Sequence, residues 1–405
     1  MKGIKFFSTN RVLKITVAAL LAAVLAFGLV LGAIVGVRSA LSLVSFGTAR
    51  LDRGVVNYLA STYKYEYIAY LIKPVEKGGL GIDYAYDGED FWNEESTIQQ
   101  GVTWGEVMSA AVSEKIKRVA VGAHLFTEGA RLTREDKEAI KAACAEVLEY
   151  KAEGDKKKFN ELAAPYGFNY RDFVNATELI YKAMTAEYAL LGTSGEALSD
   201  ASYHSEREEF LSESYSRVKL LFISTSRGYR KNDKGEYIEY TLSDAERAAV
   251  YERIAEVRRL IDAVGTGAES EMSSVAFTEL TREFPFNVGH IDTGFYFSAQ
   301  SRYSLGFEAE YPGVVSAALE MKSGEYREVA WSGGACFIYK YGTEASAYAM
   351  SNTAIFFEDF FTLLSSHVYS EMLSEGAKDV KIKDKFSEID YTKIECNWDL
   401  VAVIG

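Results

Sequence analysis

Cysteine, histidine and proline are scarce in this chain, with three, four and four copies in 405 residues. The cysteines stand at 144, 336 and 396, too far apart for a disulfide framework or a zinc site. Cys144 falls on the apolar stripe of a predicted helix and reads as a small core residue. Cys336 and Cys396 leave one pairing open. No cysteine precedes Cys144, so a lipid-modified N-terminal cysteine is not expected. The histidines, His124, His204, His290 and His367, lack the HxxxH or HExxH spacing that puts two imidazoles on one helix face, so no metal is implied. His290, in a glycine-containing turn, is the one most open to a role. The Gly-Thr-Ser-Gly-Glu stretch from Gly192 lacks the lysine of a P-loop, and Thr193-Ser194 does not form a nucleophile elbow. No cofactor follows from any of these residues. A run rich in lysine and arginine is also missing, which argues against a nucleic-acid partner.

Aspartate and glutamate are absent from the first fifty residues. That region holds Lys2, Lys5, Arg11, Lys14, Arg38 and Arg50, a charge of +6 in a chain whose net charge is −14, so the remainder carries −20. Between Lys14 and Arg38, residues 15–37 are uncharged and almost wholly apolar. At 1.5 Å per residue the run makes about 34 Å of helix, enough to cross a hydrocarbon core of about 30 Å. The competing reading is a signal peptide, whose apolar core is shorter and ends at a small-x-small site. Here Arg38 stands where a small residue would be needed. Four basic residues precede the run and one follows closely. A short cytoplasmic tail (1–14), a transmembrane helix (15–37) and an extracytoplasmic remainder are expected, so the membrane is a partner through the N-terminal helix. About 350 residues beyond it exceed one ordinary core and imply two or more subdomains.

Residues 51–205 read as helical. The segment from Thr103 spaces Val107, Ala111, Ile116, Val119 and Leu125 in a helical rhythm. Thr133 and Asp136 make a capping-box start for a helix with an Ile140, Cys144, Leu148 stripe that stops at Gly154. A short charged helix with Phe159 and Leu162 follows, and then one placing Phe173, Ile180 and Tyr188 toward a core. Residues 74–95 read as an irregular insertion. From Arg217 the pattern changes to a buried strand, RVKLLFIST, followed by a solvated polar loop at Ser226–Glu236. Ser243 and Glu246 cap a helix with Val250, Ile254, Val257, Ile261 and Val264 on one face. A short helix FTELTREFP, a turn GHIDTGFYF, a helix VVSAALEM and the strands YREVAW and ACFIYKY come next. A last helix, Ala345–Glu375, carries a Phe356, Phe357, Phe360, Phe361, Leu364 band that should dock back on the N-terminal helices.

That order of strand, long helix, short helix, glycine turn, helix and two strands, flanked by helices, resembles the parvulin-type foldases exported by bacteria. In that family a helical chaperone module surrounds a peptidyl-prolyl isomerase domain. FTELTREFP looks like the family's "FaeLAkeyS", GHIDTGFYF like its "GGdLGyf" turn, VVSAALEMKSGEYREVAW like "aaFaLkpGevSepv", and ACFIYKY like "GyHIIkv". The resemblance implies an α+β fold with a helical module at 51–205, a degenerate parvulin-like antiparallel-sheet domain at 206–342, and a C-terminal helix and tail at 343–405 packing on the module. Carried over position by position, the family's catalytic residues fall on Leu220, Asn287 and Phe337. Leu and Phe cannot build the polar network that lowers a barrier of about 18–20 kcal/mol. The implied function is a membrane-tethered folding factor that binds unfolded or extended polypeptide clients without efficient isomerisation. Phe295, Phe297, Phe307 and Met321 are its candidate client-binding residues. A dedicated envelope module with one fixed partner, and an isomerase with a rearranged site, are the alternatives.

Overall fold

A computed structural model describes residues 42–82, 89–264, 271–282, 294–331, 333–341 and 359–396. The architecture is mixed α+β, largely helical with small antiparallel sheets. Residues 15–37, Asn287, His290, Phe356 and Phe357 lie outside the described residues. Among the described residues no helix is long and apolar enough to cross a membrane. The chain divides into two compact units, one formed by residues up to Leu190 and from Ser370 onward, the other by Leu191–Tyr369.

In the first unit a hairpin, β1 (Val44–Phe46) and β2 (Ala49–Leu51), precedes the helix α1 (Arg53–Ile72), whose N-cap Asp52 accepts from Val55 N. A five-residue helix, α2 (Glu89–Asn93), comes next, so the stretch expected as an irregular insertion at 74–95 contains a helix that supplies core. Its Phe91 and Trp92 are buried, and Phe91 stacks on Trp104 at 5.9 Å. Two capping boxes start the long helices α3 (Trp104–Gly129) and α4 (Arg134–Ala152), at Thr103 with Glu106 and at Thr133 with Asp136. Helices α5 (Lys156–Ala163) and α6 (Tyr170–Leu191) complete the first run. One apolar core joins Leu59, Met108, Val112, Ile116, Cys144, Phe159 and Phe173.

Two stripes differ from expectation. On α3 the deepest positions are Met108, Val112, Ile116 and Ala120, with Val107, Ala111 and Leu125 half-buried. The helix is covered on several sides, so its centre of burial is set by its neighbours. On α5 and α6, Phe159 and Phe173 are core, whereas Leu162 is 45% and Tyr188 56% exposed. Ala176 and Ala186 hold the inner positions of α6 in their place.

The second unit opens with α7 (His204–Ser214), whose Phe210 packs on Tyr215. Strand β3 (Ser216–Ser224) is buried at every position but the last, as a central strand requires. The stretch read as a solvated loop is instead a hairpin, β4 (Arg227–Lys231) paired with β5 (Tyr237–Thr241) around an Asn232–Gly235 turn. Cross-strand pairing of its β-favouring tyrosines outweighs the polar composition that suggested a loop. Ser243 and Glu246 then cap α8 (Asp244–Val264), and α9 (Glu271–Arg282) follows. The remaining elements are β6 (Phe295–Phe297), α10 (Arg302–Glu310), α11 (Val314–Glu320), β7 (Tyr326–Trp331) and β8 (Gly334–Tyr341). Strand order in this four-stranded sheet is β6-β3-β8-β7, antiparallel throughout.

The last long helix, α12 (Phe360–Lys378), begins in the second unit and ends in the first. Phe360, expected to dock on the N-terminal helices, packs on Phe210 at 5.7 Å and Tyr215 at 5.8 Å within the second unit. Farther along, Gly376 approaches Val121 so closely that an added Cβ would stand 2.6 Å from it, and Arg118 Nη2 donates to Ser374 Oγ at 2.9 Å. After it, β9 (Lys381–Ile382) pairs with β1 and completes the first unit's three-stranded sheet. Beyond β9, Lys64 Nζ donates to the carbonyls of Thr392 and Ile394 at 2.7 Å each, and Ser61 Oγ to that of Glu395 at 2.6 Å. Cys144, Cys336 and Cys396 are buried and none is in a disulfide, so the open pairing of Cys336 with Cys396 is not formed.

Candidate client-binding face

Because side chains alternate across a strand, the four-stranded sheet of the second unit has two distinct faces. Val218, Leu220 and Phe222 of β3, with Cys336 and Ile338 of β8, point toward α10 and α11. Leu221 and Ile223, with Ala335, Phe337 and Tyr339, point toward α8 and α9. The positions carried over from the family resemblance, Leu220 and Phe337, therefore lie on opposite faces. The register sets Leu220 against Ile338 and Phe337 against Leu221. Matching each strand's motif separately left the register undefined, and a one-residue offset reverses a side chain's face. Both residues are buried core, 4% and 3% exposed, and they do not form a joint site. The third position, Asn287, lies outside the described residues.

The four client-binding candidates do come together. Phe297 and Met321 are buried in the core on the α10–α11 face, and Phe295 and Phe307 pack half-buried against it. Phe307 is the hub, with its ring centroid 5.6 Å from Phe295, 5.0 Å from Phe297 and 6.0 Å from Tyr303. It also lies 4.9 Å from Tyr311, which stands 4.8 Å from Phe222. Tyr303, Tyr311 and Phe222 were missed from the sequence. Their signal was the four-residue spacing of Tyr303, Phe307 and Tyr311, which places three rings on one side of α10 and its C-cap. Leu305, on the same helix, is 59% exposed.

Local chemistry fixes this layer in place. Ser301 caps α10 by accepting from Ser304 N, and its hydroxyl donates to Asp359 Oδ1 at 3.2 Å. Glu308 holds the start of α11, accepting from Gly313 N at 2.9 Å, Val315 N at 2.7 Å and Ser316 Oγ at 2.8 Å. Burial pushes the Glu308 carboxyl up, and these hydrogen bonds outweigh it, leaving the group below the ordinary glutamate value. At the sheet's edge Gly294 adopts φ +77, and an added Cβ would fall 2.1 Å from the Tyr341 hydroxyl, so the turn before β6 requires glycine.

The face offers hydrocarbon and ring surface rather than proton-transfer groups. Burial pushes the Cys336 thiol well above its ordinary value, which keeps it protonated and a poor nucleophile. Burial also raises Tyr303, and burial with a hydrogen bond to Glu310 raises Tyr311 to about 12. Lys340 Nζ donates to Ser216 Oγ at 2.8 Å and to the Ala318 carbonyl at 3.2 Å, and burial holds its ammonium below the usual lysine value. The described histidines, His124, His204 and His367, are not on this sheet. A half-buried aromatic surface of this kind can bury apolar side chains of another polypeptide.

The sequence matches no protein-family profile. It matches no curated protein. Among solved structures the chain is similar to the crystal structure of PrsA from Bacillus subtilis, at 14% identity over 72% of this chain and 92% of that one, with a TM-score of 0.19. It is also similar to the foldase protein PrsA from Lactococcus lactis, at 13% identity over 70% of this chain and 89% of that one, with a TM-score of 0.18. Neither superposition is close enough to establish a family.

Proposed function

We propose that this chain is a membrane-tethered, extracytoplasmic folding factor that binds unfolded or extended polypeptides and does not isomerise prolyl bonds efficiently. The observation that carries the reading is the aromatic layer of Phe295, Phe307, Tyr303 and Tyr311 over a floor of Phe297, Met321 and Phe222. Proton-transfer groups tuned to neutral pH are not found in that layer among the described residues. Support comes from the order of β3, α8, α9, β6, α11, β7 and β8, which parallels the order the parvulin-type resemblance implies, with the hairpin β4–β5 and helix α10 as additions. Reversible burial of a client's apolar segment on this layer lowers the concentration of the free, aggregation-prone chain, and it needs no cofactor. Residues 15–37 would serve as the tether, raising the effective concentration of the binding face for chains emerging across the membrane.

The test adds the full-length chain to a refolding protein whose slow phase is limited by proline isomerisation and records the rate and the soluble yield. A higher yield with an unchanged rate is expected, and Phe307→Ala should reduce the gain in yield. A faster slow phase would overturn the non-catalytic reading. No change in either quantity would overturn the folding-factor reading and favour a dedicated envelope module.

A further inference from the structure

The hairpin β4–β5 has no counterpart in the implied order of elements. It is a regular antiparallel ladder of five residue pairs from Arg227↔Thr241 to Lys231↔Tyr237, with no bulge. Among the described residues the two strands pair only with each other. Both outer edges are thus open, and no proline occurs between Ser224 and Ser243 to blunt them. Two-stranded hairpins are marginal in water unless something packs on them. This one holds Tyr237 at 51% and Ile238 at 42% exposure.

Charge decides what can pair with the β4 edge. The strand reads Arg-Gly-Tyr-Arg-Lys, three cations and no acid. Arg227, Tyr229 and Lys231 share one face. Arg227 is paired to Glu239 of β5 at 2.9 Å, and the Tyr229 hydroxyl donates to the same carboxylate at 3.0 Å. Lys231 lies over the Tyr237 ring at 5.2 Å. A second copy pairing antiparallel through β4 would set Arg227 opposite Lys231, and like charges directly opposite destabilise a sheet. We infer that the β4 edge accepts, by strand addition, an extended polypeptide segment of the pattern acid–x–apolar–x–acid, its acids across from Arg227 and Lys231 and its apolar residue across from Tyr229. Main-chain hydrogen bonds would give affinity and the alternate side chains selectivity. This rests on the folding-factor reading and names the class of client segment that such a factor prefers.

The test is fluorescence anisotropy of labelled peptides with the core Glu-Thr-Tyr-Thr-Glu, the same core with both acids replaced by lysine, and the acidic core with N-methylated backbone amides, each titrated with the full-length chain. The acidic peptide should bind at least about tenfold more tightly than the lysine peptide, and N-methylation should abolish binding. Lys231→Glu, which leaves the Arg227–Glu239 pair in place, should erase or reverse the charge preference. Equal affinity for acidic and lysine peptides, retention of binding by the N-methylated peptide, or an unchanged preference in Lys231→Glu would each overturn the inference. If the acidic peptide fails to bind while the chain still raises refolding yield, the hairpin inference falls and the folding-factor reading stands. Loss of both would overturn both.

Discussion

Leu220 and Phe337 show how much depends on the face a residue takes. Both are buried apolar residues of adjacent strands, and either truncation to alanine should cost about 2–5 kcal/mol through lost burial and the cavity left behind. Their coupling should differ. Leu220 is opposite Ile338 and shares a face with it. A double-mutant cycle of Leu220→Ala with Ile338→Ala should therefore show an interaction energy of about 0.5–3 kcal/mol. The cycle of Leu220→Ala with Phe337→Ala should be additive to within about 0.5 kcal/mol, since the two contact different clusters. Urea unfolding of the three single and two double variants measures both terms, and coupling of equal size in the two cycles would contradict the register. The sequence marked RVKLLFIST as a buried strand and ACFIYKY as a strand, with Leu220 and Phe337 suited to a sheet core. What it could not give was the offset between β3 and β8, because over a hundred residues separate the strands and the pairing is fixed by how both pack on the helices.

Among the elements, the segment after β9 shows a helix organising a stretch of chain more than three hundred residues away. Lys64 is 6% exposed and donates to two carbonyls of that segment, with the Trp92 ring 5.4 Å from its ammonium. Its position within the aromatic-rich run of α1 gave no signal of this role, since a lysine on a helix ordinarily reaches water. Lys64→Met keeps the methylene packing and removes both donors, leaving the Thr392 and Ile394 carbonyls short of partners. The variant should lose about 1–3 kcal/mol. Backbone amides around 392–396 should exchange hydrogen faster than in the parent chain, and unchanged exchange there would show that the clamp does not hold the segment. The helix starts were legible for the opposite reason. Thr133 with Asp136 and Ser243 with Glu246 act within four residues, so their chemistry is visible in sequence.

For the whole molecule, the buried tyrosines weaken stability at alkaline pH. Burial raises Tyr67, Tyr391 and Tyr311 to about 12, the last with help from its hydrogen bond to Glu310. In the unfolded chain these hydroxyls ionise near 10. Between about 10 and 12 the folded state therefore holds more protons than the unfolded state, and stability falls as pH rises. The contribution is complete below 10 and lost as pH passes through the folded values. Absorbance at 295 nm should show a first group of exposed tyrosines titrating near 10 and a second group ionising only as the protein unfolds. A single transition near 10 with the fold intact would contradict the burial of these rings.

The sequence by itself determined the elements whose causes are local: the helix starts, the buried strand at Arg217–Thr225, the Cys144 stripe, and the aromatic content that later formed the ring layer around Phe307. It also determined the charge contrast between the first fifty residues and the rest, because charge is a sum over composition. The tertiary structure alone decided which face each β residue takes, that Tyr303, Phe307 and Tyr311 meet Phe222 and Phe295, that Ser226–Glu236 is largely hairpin, and that Phe360 packs on Phe210 and Tyr215. Each of these depends on contacts between residues far apart in the chain, and pattern within one segment carries no information about the partner it will meet.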